Sequence, residues 1–247
     1  MFRYRPEFAL KYLLQMLPFL KVTILYMAGS LAISLVFGSL LAAAKLGKNK
    51  PLKIFASGYT AVMRSIPPIV LIFLIYHGVP LLLLKLFGIN ISRLVDTVYF
   101  VILALGLMGI AQLSEIIKSA YRSVREGQYE AAVCSGLSPV QAISRIMLPQ
   151  ALRISIPNLG NFMITLLKEG SLGYTIGLID IMGRANILNS ITYGNNLYEI
   201  FFTLAVIYWI LSIIIERGFL FMEDRLSIDR KIRLAALAAE SGVRHGT

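Results

Sequence analysis

The sequence predicts an all-α membrane protein of about five transmembrane helices, with the N-terminus outside and the C-terminus inside. Three observations carry this expectation. Of the 247 residues 57% are hydrophobic and only 15% charged, with a mean hydropathy of +0.74, against about 25% charged in a soluble domain. Windows 22 to 44, 65 to 84 and 97 to 114 hold no charged residue over 23, 20 and 18 positions, and about 20 residues cross ~30 Å of hydrocarbon. With five spans, fifteen of the 24 basic residues fall in the inner segments 45 to 53, 115 to 153 and from 216 onward, as the positive-inside bias requires.

The elements follow in chain order. Residues 1 to 21 carry Arg3, Arg5, Lys11 and Lys21 among apolar residues, and "EFALKYLLQMLPFLK" reads as an amphipathic helix lying in the interface with its lysines among the headgroups. The five-span core runs from 22 to 220. Its first span is rich in small residues (Gly29, Ser30, Ala32, Ser34, Gly38, Ser39), which allow close helix packing, so it is expected to lie against protein. The second, "IFASGYTAVMRSIPPIVLIFLIYHGVP", is expected to bend at Pro67 and Pro68, with Arg64 held inside the membrane; an intramembrane arginine is costly and marks a functional site. The third places Gln112 and Glu115 near its inner end. The fourth, 154 to 179, is expected to break at Pro157 and bears the adjacent Lys168 and Glu169, so it belongs on a pathway rather than against lipid. The fifth, 196 to 216, is plain and apolar, with Trp209 a packing or interface residue. Residues 221 to 247 form a charged inner tail.

Composition also sets exclusions. The net charge of +11 belongs to segments flanking the spans, so it reads as topology and lipid contact, not nucleic-acid binding. One cysteine, Cys134, and two histidines, His77 and His245, leave no disulfide framework and no cysteine-based metal site, and metal chemistry is not expected. No phosphate loop, G-x-S-x-G or H-E-x-x-H pattern occurs, so no catalytic residue is assigned and energy is expected from another chain. A channel or a secondary transporter working without an ATPase remains the alternative.

One stretch departs from the apolar pattern. In "GQYEAAVCSGLSPVQAISRIMLPQ", residues 127 to 150, Glu126 and Glu130 share a helix face with Ala131 and Ala132 beside it. Gly136 stands where a helix would end in a left-handed residue. Ser138 and Pro139 open a second helix expected to stop before Pro149. Two short helices joined at a glycine make a polar knob between spans three and four.

At these residues the chain resembles the inner-membrane permease subunits of ABC importers. Glu130, Ala131, Ala132, Gly136, Ile146, Leu148 and Pro149 stand in register with their E-A-A, three residues, G, nine residues, I-x-L-P motif. The likeness extends to the polar amino acid (histidine/glutamine-type) branch at "RSIPPIVLIFLIYHGVP" and "LLKEGSLGYTIGL", with Gln112 where that branch has an aromatic and Glu169-Gly170 where it has Asp-Thr. The resemblance implies the type I importer permease fold, in a bacterial inner membrane. It further implies a second permease, two ATPase subunits that carry ATP and Mg, and an extracytoplasmic binding protein. Gly127, Glu130, Ala131, Ala132, Gly136, Leu148 and Pro149 would be the ATPase-coupling residues. Candidates for the substrate path are Arg64, Pro67, Glu115, Pro157, Lys168 and Glu169, and "GLIDIMGRANI" is similar to cystine-type members.

Overall fold

The computed structural model of the chain describes residues 6–89, 91, 94–124 and 127–226. Arg3, Arg5, Arg93, Arg125, Glu126, Arg230, Lys231, Arg233, Arg244 and His245 lie outside the described residues, as does the tail from 227. Helices are α1 (Pro6–Met16), α2 (Leu20–Leu46), α3 (Lys50–Ser65), α4 (Pro68–Phe87), α5 (Thr97–Arg122), α6 (Gln128–Cys134), α7 (Pro139–Gln141), α8 (Leu148–Gly170), α9 (Ile181–Ile191) and α10 (Leu197–Leu226).

Helix α5 is the hub. It packs on α2, α3, α4 and α8, and Val101, Ala104, Leu105, Ala111 and Leu113 along it are fully buried. The small residues of α2 explain how it comes so close. Ser30 Oγ donates to Ile102 O at 3.2 Å, and Ser34 Oγ to Ser30 O at 2.7 Å. A Cβ added to Gly109 would sit 2.0 Å from Ser34 Oγ and 2.9 Å from the Phe162 ring. Expected packing of the first span against protein is therefore met at Ser30, Ser34 and Gly38, while Ala32 and Ser39 face outward. Tyr26, fully buried, donates to Leu167 O at 3.2 Å and ties α2 to α8.

Four helices among the described residues are long and apolar enough to cross a membrane: Ala9–Leu46, Pro68–Phe87, Thr97–Arg122 and Leu197–Arg225. Helix α8 has 23 residues, a sufficient length, but its Arg153, Asn158, Asn161, Lys168 and Glu169 keep it out of that set. Helix α1 leads through a single 3-10 turn, Leu17–Phe19, into α2. Its Tyr12 and Met16 are buried with Ile181, Ala185, Ile200 and Leu204 of α9 and α10, whereas Leu10 and Leu14 point outward.

Three expectations need correction. The second span is not one bent helix. Ile66 and Pro67 are both extended, at φ −87°, ψ 125° and φ −60°, ψ 140°, because each precedes a proline that excludes the helical region. The chain therefore separates into α3 and α4, and Arg64 sits in the last turn of α3. Pro157, by contrast, breaks nothing: α8 runs through it. The second helix of the knob also does not stop before Pro149. From α7 it passes through a π turn, Ala142–Met147, straight into α8. Pro149 cannot donate to the carbonyl four residues back, and a widened turn is one way a helix accommodates that missing bond.

Candidate functional site

Met108, Gln112, Glu115 and Arg122 recur along α5 at steps of four, three and seven, so they share one helix face. Three cavities follow that face in order. The first, about 340 Å³, is lined by Arg64, Pro67, Met108, Gln112 and Glu169. The second, about 400 Å³, shares Arg64 and Gln112 with it and adds Glu115, Asn158, Asn161 and Thr165. The third, about 760 Å³, lies at the knob between Lys45, Lys53, Arg122, Gly127, Tyr129 and Glu130.

The break before Pro67 builds the first cavity. Ending α3 there aims Arg64 into the space, and the N-terminus of α4, which carries partial positive charge, opens on the same cavity. Arg64 is exposed within the chain, along the cavity wall. Glu169 is half-buried on the opposite helix, α8. Lys168 is exposed and lines none of these three cavities, because consecutive helical residues point about 100° apart. Pro157 is exposed beside Asn158. Among the proposed path residues the fold thus gathers Arg64, Pro67, Glu115 and Glu169 along the first two cavities, and leaves Lys168 and Pro157 aside.

Glu115 is engaged from two sides. Its Oε1 accepts from Lys45 Nζ at 2.8 Å and its Oε2 from Lys118 Nζ at 3.1 Å. Lys45, read from sequence as a loop charge, is in fact buried at 2% exposure. The ammonium also donates to Thr60 Oγ1 at 2.5 Å and Ser114 Oγ at 2.6 Å. An ammonium has three protons, and all three are used. The clue in the sequence was position: Lys45 directly follows 23 uncharged residues and falls within the same helix.

The knob is more ordered than a connection requires. Leu137 N donates to Ala132 O at 3.2 Å and Gly136 N to Val133 O at 3.0 Å, the paired bonds of a Schellman helix end, and Gly136 takes φ +90° as that ending demands. Ser138 caps the next helix with a reciprocal pair: Gln141 N to Ser138 Oγ at 3.3 Å, and Ser138 N to Gln141 Oε1 at 3.0 Å. Ala132 is buried, Pro149 half-buried, and Glu130, Ala131 and Leu148 are exposed. Around them Val133, Val140, Ile143 and Leu152 also stand exposed. Met147 and Tyr129 anchor the knob to Ala120 and Val124 at the end of α5.

Comparison with known proteins fits this architecture. Residues 34–228 match the family described as binding-protein-dependent transport system inner membrane component. The chain is 35% identical over 208 residues to the L-cystine transport system permease protein TcyL of Bacillus subtilis, covering 84% of this chain and 85% of that one. It is 32% identical over 204 residues to the probable glutamine ABC transporter permease protein GlnM of the same species, covering 83% and 89%. Among solved structures, a chain of the crystal structure of an amino acid ABC transporter with histidines superposes with a TM-score of 0.78 at 29% identity, over 91% of this chain and all of that one. The MetNI methionine ABC transporter shares the fold, with a TM-score of 0.64 at 21% identity over 85% and 93%. A family match over most of the chain, a helical bundle interrupted at one knob and a polar row of cavities along one face of α5 have one common reading: the chain belongs to the binding-protein-dependent inner membrane components, as a permease subunit of the amino-acid ABC transporters.

Proposed function

We propose that this chain forms the translocation path of an ATP-driven importer of a polar amino acid, crossing the bacterial inner membrane five times with its C-terminus in the cytoplasm. Helix α8 is then the fourth span in chain order, completing the five, its polar residues lining the path. The observation that carries the reading is the pair of joined cavities in which Arg64 faces one wall and Glu169 another. An amino acid offers a carboxylate and an ammonium. Arg64 supplies two parallel N–H donors and a permanent positive charge for the first, and Glu169 a carboxylate for the second. Asn158, Asn161, Thr165 and Gln112 leave room and hydrogen-bonding capacity for a polar side chain. Cystine is the substrate favoured among polar amino acids, supported by the likeness to the L-cystine permease.

The knob is the coupling element. Its exposed Val133, Val140 and Ile143 form an apolar surface next to Glu130, of the kind that marks a protein contact. The partner is an ATPase subunit, two copies per complex, holding the ATP and Mg that this chain does not bind. A second permease, identical or homologous, and an external binding protein complete the assembly.

Replacing Arg64 by alanine tests the path. A charge-assisted hydrogen-bonded contact is worth ~1.5–3 kcal/mol, so substrate uptake into vesicles at limiting concentration falls by about tenfold or more. Unaltered uptake together with unaltered transport-coupled ATP hydrolysis overturns the assignment. Uptake that persists without any ATPase subunit overturns the importer reading altogether.

A further inference from the structure

The second and third cavities meet at a single ion pair. Glu115 lines the second and Lys45 the third, and the two are bonded at 2.8 Å. Accepting that these cavities belong to the path proposed above, we propose that Lys45 and Glu115 form its inner gate.

Burial and chemistry both point this way. The Lys45 side chain is 1% exposed and that of Glu115 33%, so the pair is dry on the lysine side and open on the carboxylate side. Through Thr60, Ser114 and Glu115 the Lys45 ammonium, itself on α2, holds α3 and α5 together. Withdrawing that ammonium breaks all three bonds at once, which makes closure all-or-none rather than graded. An ion pair is also suited to opening. When water enters, hydration replaces the lost attraction, whereas an apolar seal gains nothing from being wetted. Lys118 keeps bonds to both Glu115 oxygens, at 3.1 and 3.4 Å, from a position 25% exposed, so the carboxylate is still compensated after Lys45 leaves. The third cavity, whose wall includes Lys45, is bounded on another side by Gly127, Tyr129 and Glu130 of the knob. Movement of the knob therefore reaches the gate through the wall that Lys45 occupies.

Accessibility measures the gate directly. The test uses the assembled transporter in inside-out vesicles held with a non-hydrolysable ATP analogue, with Cys134→Ser removing the native thiol and Thr165→Cys placing a reporter in the second cavity. A membrane-impermeant maleimide added from the cytoplasmic side reacts slowly while the gate is closed. Lys45→Met raises the labelling rate by at least about tenfold, because methionine makes none of the three bonds to Thr60, Ser114 and Glu115 and the polar groups left behind draw water into the barrier. The double swap Lys45→Glu with Glu115→Lys restores slow labelling. Labelling of Lys45→Met at the parental rate overturns the gate. Should Lys45→Met fail to insert, Glu115→Gln, which keeps an acceptor for Lys45, is read in its place: an intermediate rise supports the gate and a parental rate overturns it. Uptake by Arg64→Ala judges the path separately. Lost uptake with unaltered labelling leaves a path without this gate, and normal uptake with raised labelling leaves a barrier that belongs to no path.

Discussion

Gly170→Leu is expected to leave little monodisperse permease after detergent extraction, whereas Gly78→Leu leaves it unchanged. Both glycines lie in helices and differ only in what a side chain would meet. At Gly170 an added Cβ would stand 2.0 Å from Cε2 of Tyr26, 2.5 Å from its Cζ and 2.7 Å from its Cδ2; at Gly78 nothing lies within 4 Å. The clash cannot be relieved by turning a flexible chain end. Tyr26 is fully buried and its hydroxyl bonds Leu167 O, so the whole ring must leave, and the α2–α8 tie goes with it. Overpacking of this kind costs about 3 kcal/mol, at the upper end of its usual range, and ~5–15 kcal/mol is the whole stability of a typical fold. Leucine at Gly78 improves helix propensity by ~0.5–1 kcal/mol in an open position. Fluorescence-detected size-exclusion profiles of the two variants provide the comparison, and equal profiles would show that the α2–α8 contact does not hold the bundle together.

The sequence made the spans and the knob readable for different reasons. Spans are composition: α2, α4 and α5 announced themselves as long uncharged runs, and α10 as an apolar run interrupted by Glu199. The knob is local backbone chemistry: a left-handed glycine, a serine cap and a first-turn proline act over a few residues, and all three are where the sequence places them. What failed depended on distance. Pro67 and Pro157 look alike in sequence, yet one ends a helix and the other does not, because Pro67 is followed by a second proline and Pro157 by ten helix-compatible residues before Lys168 and the end of the helix nearby. Lys45 looked like a loop charge because its partners Thr60, Ser114 and Glu115 lie 15, 69 and 70 residues away. Lys168 and Glu169 looked like a pair, but adjacency along a helix separates side chains rather than joining them. Helix α9 went unseen because its signal, the Asp180 cap accepting from Gly183 N at 2.8 Å, follows a 3-10 turn inside what read as a span.

Gly136→Leu should abolish coupled transport while sparing insertion. Helix α6 has only seven residues, too few to persist on propensity alone. Its direction is set by the Schellman ending, in which Gly136 holds φ +90°. Leucine there is strained by ~1–2 kcal/mol, and the cheaper outcome is a turn of different shape that swings α6 away from the Ser138-capped helix. Nothing lies within 4 Å of a Cβ at Gly136, so the effect is conformational and the bundle, packed elsewhere, still assembles. Asparagine tolerates the left-handed region, so Gly136→Asn retains most of the function that Gly136→Leu loses. Glu130→Arg attacks the proposed contact by charge, since Glu130 is exposed on α6. In purified complexes, Gly136→Leu and Glu130→Arg lose the ATPase subunit or its substrate-stimulated turnover by about tenfold or more, a loss of ~1.4 kcal/mol or greater in the contact. Normal ATP-driven uptake in either variant removes the knob from the coupling path. Equal failure of Gly136→Asn and Gly136→Leu places the requirement in the empty space beside the glycine rather than in its backbone angle.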